Sequence, residues 1–221
     1  MGLREDKKRQ THRAISDAAI ALFLDKGFDQ VPVAEVAAAA NVSKPTLFRY
    51  FPAKEDLVLH RFADHEDEAA RVIAGAPSDP LDALRRHVLD GLDRRDPVTG
   101  LSDHPNVLAF HRLLYGTPSL VARLYAYQGR SEAALAAALG GGVGEGVGEG
   151  VGEGGGVGGG GGVGARLAAG QIVAVLRVLA EENWRRIAAG ESAEDVHPDA
   201  VAATELAFRQ LRAGLDDFVT Q

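Results

Sequence analysis

Seven residues within one short stretch carry side chains suited to gripping a polyanion: Lys44, Pro45, Thr46, Phe48, Arg49, Tyr50 and Lys54. Lys44, Arg49 and Lys54 can meet phosphates or the acceptor edge of guanine. Thr46 and Tyr50 can donate hydroxyl hydrogen bonds to phosphate oxygens, and Pro45 or Phe48 can touch a thymine methyl. At about 100° per residue, Leu47 and Phe51 point to one side of a helix over Lys44–Phe51, and Pro45, Thr46, Arg49 and Tyr50 spread over the other. One side anchors and the other is free to touch something. The same pattern also suits an ordinary helical hairpin with a solvated, charged outer face.

The elements that would position this face are legible on either side of it. Ile15, Ala18, Ala19, Leu22 and Phe23 recur at helical spacing between Thr11 and Lys26, and Gly27 suits a left-handed C-terminal cap. Val33, Val36, Ala37 and Ala40 repeat the spacing and end at Asn41, which tolerates positive φ. Ser43 is a good N-cap for the third helix, and Pro45 falls where a missing N–H costs little. Pro52 closes that helix, and a fourth is expected from Lys54 to about Ile73. Two short helices joined by a tight turn, with polar and basic residues outward on the second, make a helix-turn-helix over about residues 32–51, whose second helix fits the major groove.

The run from Arg13 to Phe23, then Gly27-Phe28, Val33–Ala37 and above all Val42–Leu57, resembles the DNA-binding domain of the TetR family of bacterial transcriptional regulators, over about residues 9–65. The resemblance implies a homodimer, each subunit reading half of an inverted-repeat operator in double-stranded DNA, and release by a small-molecule effector. By position it implies base reading and methyl contact by Lys44, Pro45, Thr46 and Phe48, and phosphate contacts by Thr46, Tyr50 and Lys54. Three residues depart from the family pattern. Pro32 stands where a capping threonine is usual, Phe48 where tyrosine is commoner, and Ala53 where a capping serine is frequent.

Charge is segregated along the 221 residues. Residues 1–54 carry nine Lys and Arg against six Asp and Glu, including all five lysines, while the remainder carries 15 against 25, so the net −7 conceals a basic N-terminal region. Such asymmetry permits a nucleic-acid contact without establishing one. With no cysteine, disulfide scaffolds, thiolate metal sites and cysteine nucleophiles are excluded. No nucleophile stands beside a base and no cofactor motif occurs, so no catalytic residue, cofactor or metal is expected. No signal-type N-terminus and no uninterrupted apolar run of about 18 residues is present, so the expectation is a cytoplasmic protein that does not enter a membrane.

Beyond the DNA-binding domain, assigned to residues 9–69, residues 70–221 are expected to form a helical ligand-binding and dimerisation domain, making the chain all-α. Helices are expected over Pro80–Arg95, Asp103–Tyr115, Pro118–Leu139, Ala165–Ala189 and Pro198–Val219, the last two pairing with their two-fold mates as the resemblance implies. Seventeen of the 27 glycines lie between Gly140 and Gly164, and this stretch is expected to be a flexible linker rather than a phosphate-binding loop. His104 and His111 lie seven apart on one expected helix, near Tyr115 and Tyr125. They could serve as polar hooks or metal ligands in an apolar pocket, but with no carboxylate or third histidine at helical spacing the expectation is one exposed and one core histidine. Phe110, His111, Leu114, Tyr115 and Tyr125 are the candidate ligand-contacting residues. The alternative function is a regulator or architectural DNA-binding protein with no small-molecule ligand.

Overall fold

A computed structural model describes residues 3–76, 78–141 and 162–219, and every regular element among them is helical. The chain divides into two compact units, Met1–Asp64 with His104–Tyr127, and His65–Asp103 with Gln128–Gln221.

The first unit contains α1 (Leu3–Lys26), α2 (Val33–Ala39), α3 (Lys44–Tyr50), α4 (Asp56–Leu59) and α7 (Pro105–Gly116), together with the first turns of α8 (Pro118–Gly141). Its core joins Ile15, Ala19 and Phe23 of α1 to Val36, Leu47 and Leu57, and α7 and α8 add Leu114, Leu120, Leu124 and Tyr127. That burial is why the compact unit is not continuous in sequence and differs from a division at residue 69. Local signals act as their chemistry requires: Gly27 takes φ 89° after α1, and Asn41 takes φ 53° between α2 and α3.

Two helix boundaries differ from the sequence expectation in this unit. Helix α1 begins at Leu3 rather than Thr11, whose hydroxyl donates back to the Lys7 carbonyl (2.8 Å) instead of capping a start. The fourth helix does not run unbroken to Ile73. It ends at Leu59, a 3₁₀ segment covers His60–His65, and α5 begins at Glu68. The Tyr127 hydroxyl donates to the Phe62 carbonyl, a group that a continuous helix would use for its own ladder.

The second unit packs α5 (Glu68–Ala74), α6 (Pro80–Asp93), α9 (Val163–Ala188) and α10 (Ala193–Val219) with the later turns of α8 around Leu81, Leu84, Leu135, Ile172, Phe208 and Leu211. A 3₁₀ turn at Pro97–Thr99 is locked onto α9: the Asn183 amide donates to the Thr99 carbonyl (2.9 Å), and Gly100, at φ 73°, lies so close that a Cβ would meet the Ala180 carbonyl oxygen at 2.0 Å. Helix α10 starts before the expected Pro198 because the Ser192 hydroxyl accepts the Asp195 N–H (3.1 Å) and the Asp103 carboxylate accepts that of Ala193 (2.9 Å). Of the glycine tract, Gly140 and Gly141 close α8, Val163 and Gly164 open α9, and residues 142–161 lie outside the described residues, so the linker expectation falls there.

Candidate nucleic-acid interface

Helix α3 is short, and its placement rests on a few specific contacts. Ser43 caps it, with the hydroxyl oxygen accepting the Thr46 N–H at 3.2 Å while also meeting the Thr46 hydroxyl at 2.8 Å. Leu47 is fully buried in the core, worth about 2–3 kcal/mol of apolar transfer. Phe51, at its C-cap, is buried against the His12 ring (5.0 Å between centroids). Around this anchor Lys44, Pro45, Phe48 and Arg49 are exposed, and Thr46 and Tyr50 are half-buried. Phe48 keeps 41% of its surface open, an unusual exposure for a phenylalanine unless something else covers it.

The cations of this face are arranged over aromatic rings. The Lys44 ammonium lies 5.9 Å from the Phe48 centroid and the Arg49 guanidinium 5.6 Å from that of Tyr50. Tyr50 is itself buttressed edge-on by His12, at 4.8 Å, and His12 stacks edge-on against His60 at 5.0 Å. Burial, followed by the charges of His60 and Lys8, holds the His12 imidazole below its usual pKa, which favours the neutral ring beneath α3.

Lys54 is placed differently from the other six. Its ammonium donates to the Phe28 carbonyl (2.5 Å) and lies over the rings of Phe28 (4.4 Å) and Phe23 (5.4 Å), so it ties the entrance of α4 to the loop after α1. Of the departures from the family pattern, the one at Ala53 is compensated locally. Pro32 provides no side-chain cap to α2, while the Ala53 N–H is accepted by Asp56 (3.0 Å), whose carboxylate also receives Arg123 of α8 through two bonds of 2.7 and 3.0 Å. Lys26 and Glu35 bridge α1 to α2 at 2.6 Å.

The structure also exposes a second basic surface that spacing arguments had not singled out. Because α1 extends back to Leu3, Lys7, Lys8, Arg9 and Arg13 are exposed on a helix, and a shallow groove of about 330 Å³ is lined by Arg9, Arg13, Ser16, Asp17, His60 and Arg61. The run Lys7-Lys8-Arg9 was its only signal in the sequence.

The sequence profile described as "Bacterial regulatory proteins, tetR family" matches residues 15–60, a span that includes α2, α3 and α4. Residues 15–60 therefore carry a region of tetR-family type. Among curated relatives, the HTH-type transcriptional regulator TcmR of Streptomyces glaucescens is 33% identical over 140 residues, covering 61% of each chain. The HTH-type transcriptional repressor LfrR of Mycolicibacterium smegmatis is 36% identical over 105 residues, covering 46% of this chain and 54% of its own. The chain thus spans less than two thirds of these relatives' lengths. The fold matches that of native NalD, the secondary repressor of the MexAB-OprM multidrug efflux pump in Pseudomonas aeruginosa, with a TM-score of 0.54 at 18% identity over 90% of this chain and 97% of that one. The described residues are all-α, and the matched N-terminal region is similar to that of HTH-type transcriptional regulators.

The five ligand-contacting candidates all lie in the first unit. Leu114 is buried in the core of the first unit, with Phe110 and Tyr115 packed against it, and Tyr125 is 56% exposed. His111 is buried, and desolvation lowers its pKa to about 4, so it sits neutral in the folded protein. His104 is exposed at the N-cap of α7, where its Nδ1 accepts the Asn106 N–H (3.3 Å). A cavity of about 140 Å³ occurs instead in the second unit, between α5, α6, the 97–99 turn, α9 and α10. Among the described residues no cluster of three or more His, Asp or Glu side chains could hold a metal ion.

Proposed function

We propose that this protein is a repressor that binds a palindromic operator as a homodimer and is released by a small-molecule effector, in the cytoplasm where such DNA is found. The observation that carries the DNA reading is the exposure pattern of α3: four open residues, two of them cationic, around a fully buried Leu47 behind a capped N-terminus. A helix held this way presents its polar face as a rigid unit, which is what insertion into a major groove about 12 Å wide demands. Lys44, Pro45, Thr46 and Phe48 read base edges and methyls, Thr46, Arg49 and Tyr50 bind phosphates, and Lys54 adds its charge from the start of α4. The exposed arginines and lysines of α1 add phosphate contacts beside them. Operator half-sites one helical turn apart then require the two α3 helices to stand about 34–36 Å apart.

The homodimer reading is supported by α9 and α10. Val163, Leu167 and Val178 of α9 are exposed at spacings that keep them on one face, and Leu206 of α10 is 49% exposed. Helix α9 is also long and apolar enough to cross a bilayer by length and composition. A second copy of the chain covers this stripe, removing apolar area that water would otherwise solvate. Selection of bound sequences from a random DNA pool, followed by light scattering of the free and DNA-bound protein, tests the proposal. An inverted repeat and a dimer mass are expected, and a monomer on an asymmetric site would overturn it.

A further inference from the structure

The cavity of the second unit has polar side chains that spend most of their donor protons within the protein. His65 Nδ1 and His87 Nε2 both engage the Glu68 carboxylate, at 2.6 and 3.2 Å. The buried Asn183 gives an amide proton to the Thr99 carbonyl (2.9 Å), and the buried Thr204 gives its hydroxyl proton to the Ala200 carbonyl (2.8 Å). What these groups offer to an occupant is therefore mainly acceptors, namely carboxylate lone pairs on Glu68, the Asn183 amide oxygen and the Thr204 hydroxyl oxygen, beside the second Asn183 amide proton. Glu68 is held ionised, below its ordinary pKa, first by the His65 hydrogen bond and then by the nearby charges. The other walls are apolar, from Leu84, Val88, Leu92, Leu176 and Leu179. Arg94 is the one guanidinium in the lining, and it is exposed, while Asp96 in the same lining caps the 97–99 turn. The volume of about 140 Å³ compares with the roughly 150 Å³ cavity that accepts benzene and is well below the ~300–1,000 Å³ of drug-sized sites.

We propose that this cavity is the effector site and that it takes a compact primary amine on a single apolar ring or short branched chain, its ammonium donating to Glu68 and its body lying among the leucines. The assignment of an effector role rests on the reading of the chain as a ligand-released repressor; the occupancy of the cavity does not. An anion would face Glu68, and a neutral alcohol would offer one proton to a cluster of acceptors and forgo the charge-assisted bond.

Calorimetric titration of the full-length protein without DNA, using benzylamine, benzyl alcohol and benzoate as probes, tests the site. Benzylamine is expected to bind about tenfold or more tightly than either of the others. Glu68→Gln, which keeps a side-chain acceptor for His65, removes that preference, and Val88→Phe, which fills the space, removes binding of all three while leaving the circular dichroism spectrum unchanged. No benzylamine binding by the unmodified protein, or equal affinity for benzylamine and benzoate, overturns the site. A parallel anisotropy titration of labelled operator separates the two claims: benzylamine that binds without loosening the operator refutes the effector role alone.

Discussion

Replacing Arg49 with alanine isolates one cation of the DNA-facing surface. The side chain is exposed in the last turn of α3, over the Tyr50 ring at 5.6 Å, and alanine is a good helix former at that position. Truncation there should change folding stability by less than about 0.5 kcal/mol. Its effect on DNA is set by counterion release: each phosphate contact contributes about 0.9 to the slope of log K against log salt. A homodimer loses two such contacts, so the slope should fall by about 1.8, whereas a monomer would lose about 0.9. Between 0.05 and 0.2 M salt each contact accounts for roughly a 3.5-fold change in affinity, so the pair accounts for about twelvefold. The assay is fluorescence anisotropy of a labelled operator at four or five salt concentrations, with the melting temperature of the variant measured alongside. An Arg49→Ala protein that melts like the parent and keeps its full salt slope would refute the placement of this guanidinium at the phosphate backbone.

Lys54→Ala should behave differently, because its ammonium is bonded to the Phe28 carbonyl and lies over two rings; a loss of about 1–2 kcal/mol of stability is expected by urea denaturation, and a variant as stable as the parent would show those contacts to be idle. Ser43→Ala removes the hydroxyl that receives the Thr46 N–H and should cost about 1 kcal/mol, with Ser43→Gly costing less; equal losses in the two would argue against capping. His111 is neutral in the fold with a pKa of about 4 against 6.5 unfolded, so its contribution is fully present above pH 6.5 and is lost as pH falls toward 4, on the order of 3 kcal/mol in all; His111→Phe should flatten the stability profile over that window, and an unchanged profile would contradict the burial argument. Val178→Glu, placing a charge in the exposed stripe of α9, should shift the protein toward monomer by light scattering and weaken operator binding, whereas an unaltered mass would move the proposed dimer contact elsewhere.

How far the sequence could be followed depends on how local the deciding interaction is. The recognition helix was legible because Asn41, Ser43, Pro45 and Pro52 act on their own backbone, and the apolar spacing around Leu47 names its buried side without reference to anything distant. The fourth helix was not, because the bond that interrupts its ladder comes from Tyr127, which is 65 residues from Phe62. The start of α10 was misplaced for a related reason. Pro198 is a strong first-turn signal, but Ser192 and the remote Asp103 satisfy the amides of an earlier turn, and proline is accommodated inside the helix. Local signals fix the elements and leave these endpoints to tertiary contacts.

The effector candidates show the same limit with a chemical consequence. His104 and His111 suit polar hooks when the spacing along the sequence is considered alone, yet His104 is exposed at the N-cap of α7 and His111 is buried beside Leu114, where its imidazole is neutral. Glu68, by contrast, reads as one of many acids on a strongly acidic region, and several of its kind are matched to arginines: Arg85 to Glu205 at 2.6 Å, Arg186 to Asp199 at 2.7 Å, Arg212 to Asp79 at 2.7 Å. Glu68 is bonded to two imidazoles instead, and Arg71 acts on it only through space. An incoming ammonium would have to compete with a permanently charged guanidinium to reach any of these arginine-matched carboxylates. At Glu68 it need only share or displace an imidazole donor, while gaining a full charge pair inside an apolar wall. The partner type, more than the carboxylate itself, is what makes this acid available to a ligand, and no pattern of charge along the chain reveals which acids have imidazoles for neighbours.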